Sequence, residues 1–95
     1  MTDAFTDYES KDDLVTRDYE PGEKEALLSY MRSFRYDAVA AGFFDDVVTG
    51  DVKIGISYLA FDDGAFSWTS QDTYHVEHYN LAPCDEFLDR ALASA

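Results

Sequence analysis

Between Glu23 and Phe34 the apolar residues Ala26, Leu27, Tyr30, Met31 and Phe34 recur at helical spacing, just after the chain break signalled by Pro21-Gly22. Glu23 and Glu25 fall in the first turn and Arg32 and Arg35 near the end, the order that the helix dipole favours. The pattern predicts a helix over 23–34, then a short helical turn from Tyr36 to Ala41 that stops at Gly42. From Phe43 the period shortens to two. Val52, Ile54, Ile56 and Tyr58 alternate with Lys53, Gly55, Ser57 and Leu59, as in a strand with one buried face. Asp63-Gly64 sits between Tyr58-Leu59-Ala60-Phe61 and Ala65-Phe66-Ser67-Trp68, which predicts a hairpin closed by a type I′ turn. Thr49-Gly50-Asp51 is a second turn signal, and Phe43 to Val48 is a candidate third antiparallel strand.

Thr69-Ser70-Gln71-Asp72 matches a capping box, in which a hydroxyl and a later acid satisfy the orphan amides of a helix start. A helix is expected from Ser70 to Tyr79, ended by Asn80. Pro83 suits a first helical position, and Cys84, Leu88, Ala91 and Leu92, with Phe87 alongside, make the stripe of a closing helix. The first twenty residues carry seven acids and two bases without apolar period, and read as a frayed or loosely docked lead-in. Together these elements describe a single α+β domain over residues 1–95. It has an N-terminal helix, an antiparallel β-hairpin or three-stranded meander around Val47 to Trp68, and two C-terminal helices covering one face.

Charge changes the picture. Twenty Asp and Glu stand against seven Lys and Arg, a net charge of −13, while 46% of residues are apolar and 16% aromatic. That apolar content supports a folded anion where an acidic chain poor in aromatics would be a disordered tail. The single Cys84 has no internal disulfide partner, which points to a reducing compartment, and Met1 to Tyr19 offers neither a basic nor an apolar run for export or anchoring. A cytoplasmic protein of a bacterial host is the expectation. Fixed negative charge repels nucleic acid and anionic lipid but attracts proteins built to hold nucleic acid.

Residues 36–95 hold eleven acids against Lys53 and Arg90 alone. Asp45, Asp46, Asp51, Asp62, Asp63 and Asp72 gather at turns and strand ends, with Tyr74 and Glu77 on the following helix, and these eight are the candidate partner-binding residues. The expected partner is a basic nucleic-acid-binding protein or complex, with no cofactor, no membrane and no direct nucleic-acid binding. Two plainer readings compete: a surface that only keeps the chain soluble, and salt adaptation, since Asp outnumbers Glu fourteen to six. A calcium loop starting at Asp45 has Gly50 at its sixth position but Val47 and Ile56 at its third and twelfth, so its carboxylates are missing. His75 and His78, three apart with Asp72 before them, would let one helix face offer metal ligands, the basis of an alternative small metal-dependent enzyme. Cys84, in an apolar stripe, reads as a packed thiol.

The ordered signature Val48-Thr49-Gly50, Asp63-Gly64, Phe66-Ser67-Trp68, Tyr74, Tyr79-Asn80 and Phe87-Leu88 resembles small proteins of phages and mobile elements over roughly half the chain. These are turn and core positions, so the resemblance implies a shared α+β fold and no chemistry. In size, charge and lack of a catalytic motif the chain also resembles anti-CRISPR proteins, some of which imitate nucleic acid in an effector's binding channel. The function this implies is an acidic inhibitor of a bacterial defence effector. A toxin-neutralising immunity protein is the other small acidic binder that fits.

Overall fold

The computed structural model describes residues 1–94, with the side chains of Ala40 and Ala41 left aside. Its α+β fold has the order β1 (Thr2–Asp3), α1 (Glu23–Arg32), β2 (Ala38–Phe43), β3 (Ser57–Asp62), β4 (Phe66–Thr69), α2 (Ser70–Tyr79) and α3 (Asp85–Ala93). The four strands form one mixed sheet in the spatial order β1-β4-β3-β2. β2, β3 and β4 are antiparallel neighbours, and β1 runs parallel to β4 with Thr2 opposite Phe66 and Asp3 opposite Ser67. The helix α1 packs on α2 and α3, and α2 packs on β3 and β4.

Phe87 sits at the centre of the core, fully buried, with the rings of Phe5, Tyr30, Phe66 and Trp68 around it at 5.1–6.1 Å. Removing such a side chain from water contributes about 1.5–3 kcal/mol before packing is counted. Trp68 lies parallel to Phe61 across the β3–β4 pair, their planes 9° apart. Its indole N–H is buried without a partner.

The helix α2 agrees with its sequence reading residue for residue: Thr69 Oγ1 accepts from Asp72 N, the Asp72 carboxylate accepts from Thr69 N, and Asn80 ends the helix at φ 59°. The Ser70 hydroxyl accepts from Leu59 N and donates to Ser57 O, so it extends the β3–β4 ladder past the point where the chain turns into the helix. The helix α1 stops two residues short of Phe34, because Ser33 gives both its N–H and its hydroxyl to Tyr30 O and closes the last turn.

Five expectations are corrected. The stretch Tyr36 to Ala41 is not helical: Ala38–Phe43 is β2, where Asp37 N bonds Ala60 O at 2.7 Å and opens a ladder that outweighs alanine's helical preference. The strand expected from Val52 starts only at Ser57, since Ser57 pairs with Phe43 at the end of β2 and residues 52–56 have no strand beside them. Likewise Phe43 to Val48 is not a third strand; from Phe44 the chain leaves the sheet and turns at 47–49. The β3–β4 turn is not type I′: only Gly64 has positive φ, at 93°, as in a connection whose central residues are Gly64 and Ala65, with Asp63 before them. Finally, the first twenty residues are docked. Ala4 and Phe5 are buried in the core, Cys84 N bonds Ala4 O, and Thr16 bridges Leu81. Two hydrophobic residues and a two-residue strand give no periodic signal, so nothing in the local sequence announced this docking.

Candidate functional site

Three of the eight candidate residues, all carboxylates, are structural. Asp46 is 3% exposed and accepts four hydrogen bonds: Tyr74 Oη at 2.6 Å, Tyr79 Oη at 2.5 Å, Val48 N at 2.9 Å and Thr49 N at 3.0 Å. Burial alone would raise its pKa, but those donors outweigh it and hold the carboxyl below the usual range. Asp63, whose side chain is 1% exposed, caps the β-turn through Ala65 N and Phe66 N and also receives Tyr30 Oη and Arg90 Nε, each at 2.7 Å. Here too burial pushes up and the donors win, bringing the carboxyl to about 2. Asp72 is spent on the capping box and on Tyr8 Oη at 2.7 Å, and burial pushes its carboxyl up.

The others divide. Tyr74 is committed to Asp46, which raises its own pKa. Glu77 is exposed but ion-paired with Arg32 at 2.6 Å, which lowers its pKa. Asp45 and Asp51 remain exposed, bonded only to Lys53 N and to Thr49 Oγ1, and half-buried Asp62 accepts from Gly64 N. The turn-rich placement that singled these acids out in the sequence has a local cause: a carboxylate beside a turn accepts from the amides the turn leaves unpaired.

His75 is completely buried and both its ring nitrogens are occupied: Nδ1 faces Gln71 O at 2.8 Å and Nε2 accepts from Val47 N at 3.2 Å. This fixes a neutral ring with the proton on Nδ1, and burial lowers its pKa. It has no lone pair free for a metal, and His78 lies exposed beside Glu77. Among the described residues no three His, Cys, Asp or Glu side chains are placed to hold an ion. Cys84 is not packed: it is the N-cap of α3 and exposed, because the helix begins at Asp85, two residues later than a start at Pro83.

The acids that sequence reading passed over lie on the N-terminal segment. Docked along β4 and the start of α2, it raises one wall of an open cleft of about 370 Å³. Asp3, Asp7, Glu9 and Asp72 line this cleft with Tyr8 and Tyr58, and no Lys or Arg does. Burial raises the pKa of both tyrosines, and the Asp72 charge adds to it. Asp12 and Asp13 follow, exposed, with Lys11 as the only base in the first sixteen residues. The available signal was this run of acids itself, which low local hydrophobicity made look like a loose lead. Among the described residues four of the twenty carboxylates, Glu23, Asp63, Glu77 and Asp85, are in ion pairs. Chemically the surface offers cation recognition: acceptors and negative potential, with no activated nucleophile beside a base.

No helix among the described residues is long and apolar enough to cross a membrane. No protein-family model, curated protein or solved structure matches this chain.

Proposed function

We propose that the protein is an acidic inhibitor that acts by binding, in the manner of anti-CRISPR nucleic-acid mimics. In this reading its anionic surface occupies the basic groove of a bacterial defence effector and blocks engagement of DNA or RNA. The observation that carries the reading is the poverty of internal neutralisation, since sixteen of the twenty carboxylates lie outside any ion pair among the described residues. The surface doing the binding is centred on Asp3, Asp7 and Glu9 and extends to Asp12 and Asp13, with exposed Asp45 and Asp51 as outlying contacts. Asp72 supports it from within by accepting from Tyr8 Oη.

Magnitudes are compatible. The longest dimension of the molecule is 34 Å, over which duplex DNA presents about 20 phosphates at roughly one charge per 1.7 Å. A net charge of −13 over the same length is about two thirds of that density. Such a surface releases the counterions of a Lys/Arg-lined channel as DNA does, so its binding weakens steeply with salt.

The test is competition for DNA binding by purified CRISPR effector complexes at low salt, read by fluorescence anisotropy of a labelled duplex. The protein is expected to displace the duplex, the triple variant Asp3→Asn/Asp7→Asn/Glu9→Gln to displace it less well, and added salt to abolish the effect. If a panel of such effectors binds DNA unchanged in its presence, the inhibitor reading falls and the charge reverts to a solubility role.

A further inference from the structure

We propose that β2 is a self-association edge, along which two copies of this chain pair antiparallel about a two-fold axis. As the outermost strand it is hydrogen-bonded to β3 alone, and no described strand covers its other side. Natural sheet edges are blunted by Lys, Pro or inward-pointing charges. This one carries none: from Ala38 to Phe44 seven consecutive residues are uncharged, in a chain where 28% of residues bear charge. Large apolar side chains stand in solvent along it, Tyr36 57% exposed, Val39 62% and Phe43 47%, with Ile56 beside its far end at 43%.

The charges at the two ends of the strand identify the occupant. Arg35 precedes it, exposed with no acid within ion-pair distance among the described residues, and exposed Asp37 stands between Arg35 and the strand; Asp45 follows it, exposed, its carboxylate bonded only to Lys53 N at 2.9 Å. Antiparallel pairing of β2 with its own copy brings Arg35 of each molecule to Asp45 of the other. Parallel pairing would set Arg35 against Arg35 and Asp45 against Asp45. The register toward β3 is broken by a bulge between Val39 and Phe43, where Gly42 takes φ 85°. The shared ladder is therefore short, and the apolar side chains with the two terminal ion pairs carry the contact. A two-fold pairing is isologous and closes at the dimer.

Sedimentation equilibrium of the full chain at moderate salt tests this, with far-UV circular dichroism confirming that each variant is folded. The parent is expected at twice its 10.7 kDa mass at high concentration. Arg35→Glu replaces both ion pairs by repulsions and should weaken the dimer roughly tenfold or more. Val39→Lys, at a position 62% exposed, should do the same by placing ammonium groups at the contact. The swap Arg35→Glu/Asp45→Arg restores complementarity and should return the dimer. A parent that stays monomeric, that assembles beyond two, or that dimerises unaffected by Arg35→Glu or Val39→Lys overturns the proposal. A folded charge-swap variant that remains monomeric overturns the antiparallel arrangement.

Discussion

Replacing Asp46 by alanine removes the acceptor that holds the loop after β2 against α2. Four donors lose their partner together: the hydroxyls of Tyr74 and Tyr79 and the amides of Val48 and Thr49. A hydrogen bond to a charged group contributes about 1.5–3 kcal/mol, but four bonds to one carboxylate do not add, and donors near the surface regain water. Thr49 is exposed and both tyrosines are half-buried, so the net cost falls to about 3 kcal/mol, the size expected when a buried hydrogen-bonded charge network is broken. A domain of this length is stable by roughly 5–14 kcal/mol, so the loss is a large fraction of the total. At about 4–8 °C per kcal/mol the melting temperature should drop by about 12–24 °C. Asp46→Asn, which keeps one acceptor oxygen, should fall about half as far. Thermal and urea unfolding followed by circular dichroism at pH 7 would read both. The network account is refuted if Asp46→Ala melts within about 4 °C of the parent, or if Tyr79→Phe destabilises as much in the Asp46→Ala background as in the parent.

Stability should fall with acidification in two stages. His75 is neutral in the fold with a pKa below its ordinary 6.5, so the unfolded chain takes up the proton first and stability declines as pH drops below 6.5; His75→Gln should flatten that stage in a series of melting temperatures against pH. Asp46 and Asp63 are held below their ordinary 3.8, so their contribution is complete above that pH and is lost as pH falls below it, for Asp63 through about 2, partly offset by Asp72, whose carboxyl is raised. Thr69→Ala removes the hydroxyl half of the α2 capping box and should cost about 0.5–2 kcal/mol in urea unfolding, and Thr69→Ser should restore most of it. Cys84, exposed at the start of α3, should react with one equivalent of a thiol reagent in the native protein as fast as after denaturation, and Cys84→Ser should leave the fold unchanged.

Where interactions are local, the chain reads directly. The capping box at Thr69 and Asp72 and the stop at Asn80 lie within eleven residues of one another, and the helix they bound came out with both its ends placed. The hairpin around Gly64 was equally visible, although the turn's inner geometry was not, because the Asp63 side chain takes over the amides of Ala65 and Phe66. The period-two run from Val52 failed for the opposite reason: alternation marks residues able to form a strand, and only a neighbouring strand makes one. The candidate acids were misjudged in the same way. Position beside a turn or a helix start makes a carboxylate look displayed, yet at Asp46 and Asp63 the turn, and at Asp72 the first turn of α2, is what consumes it.

Composition and the pattern of elements by themselves determined that this is a folded polyanion of α+β class, since aromatic content sets the core and twenty acids cannot be neutralised internally by seven bases. Only tertiary structure decided where that charge is offered. Docking of the N-terminal segment beside β4 depends on contacts with residues more than sixty positions away, among them Ser67, Asp72 and Cys84. Such contacts leave no period in the sequence, and they set a further group of exposed acids, Asp3, Asp7 and Glu9, at and beyond the edge strand β1, where the pattern gave no sign of a fixed surface.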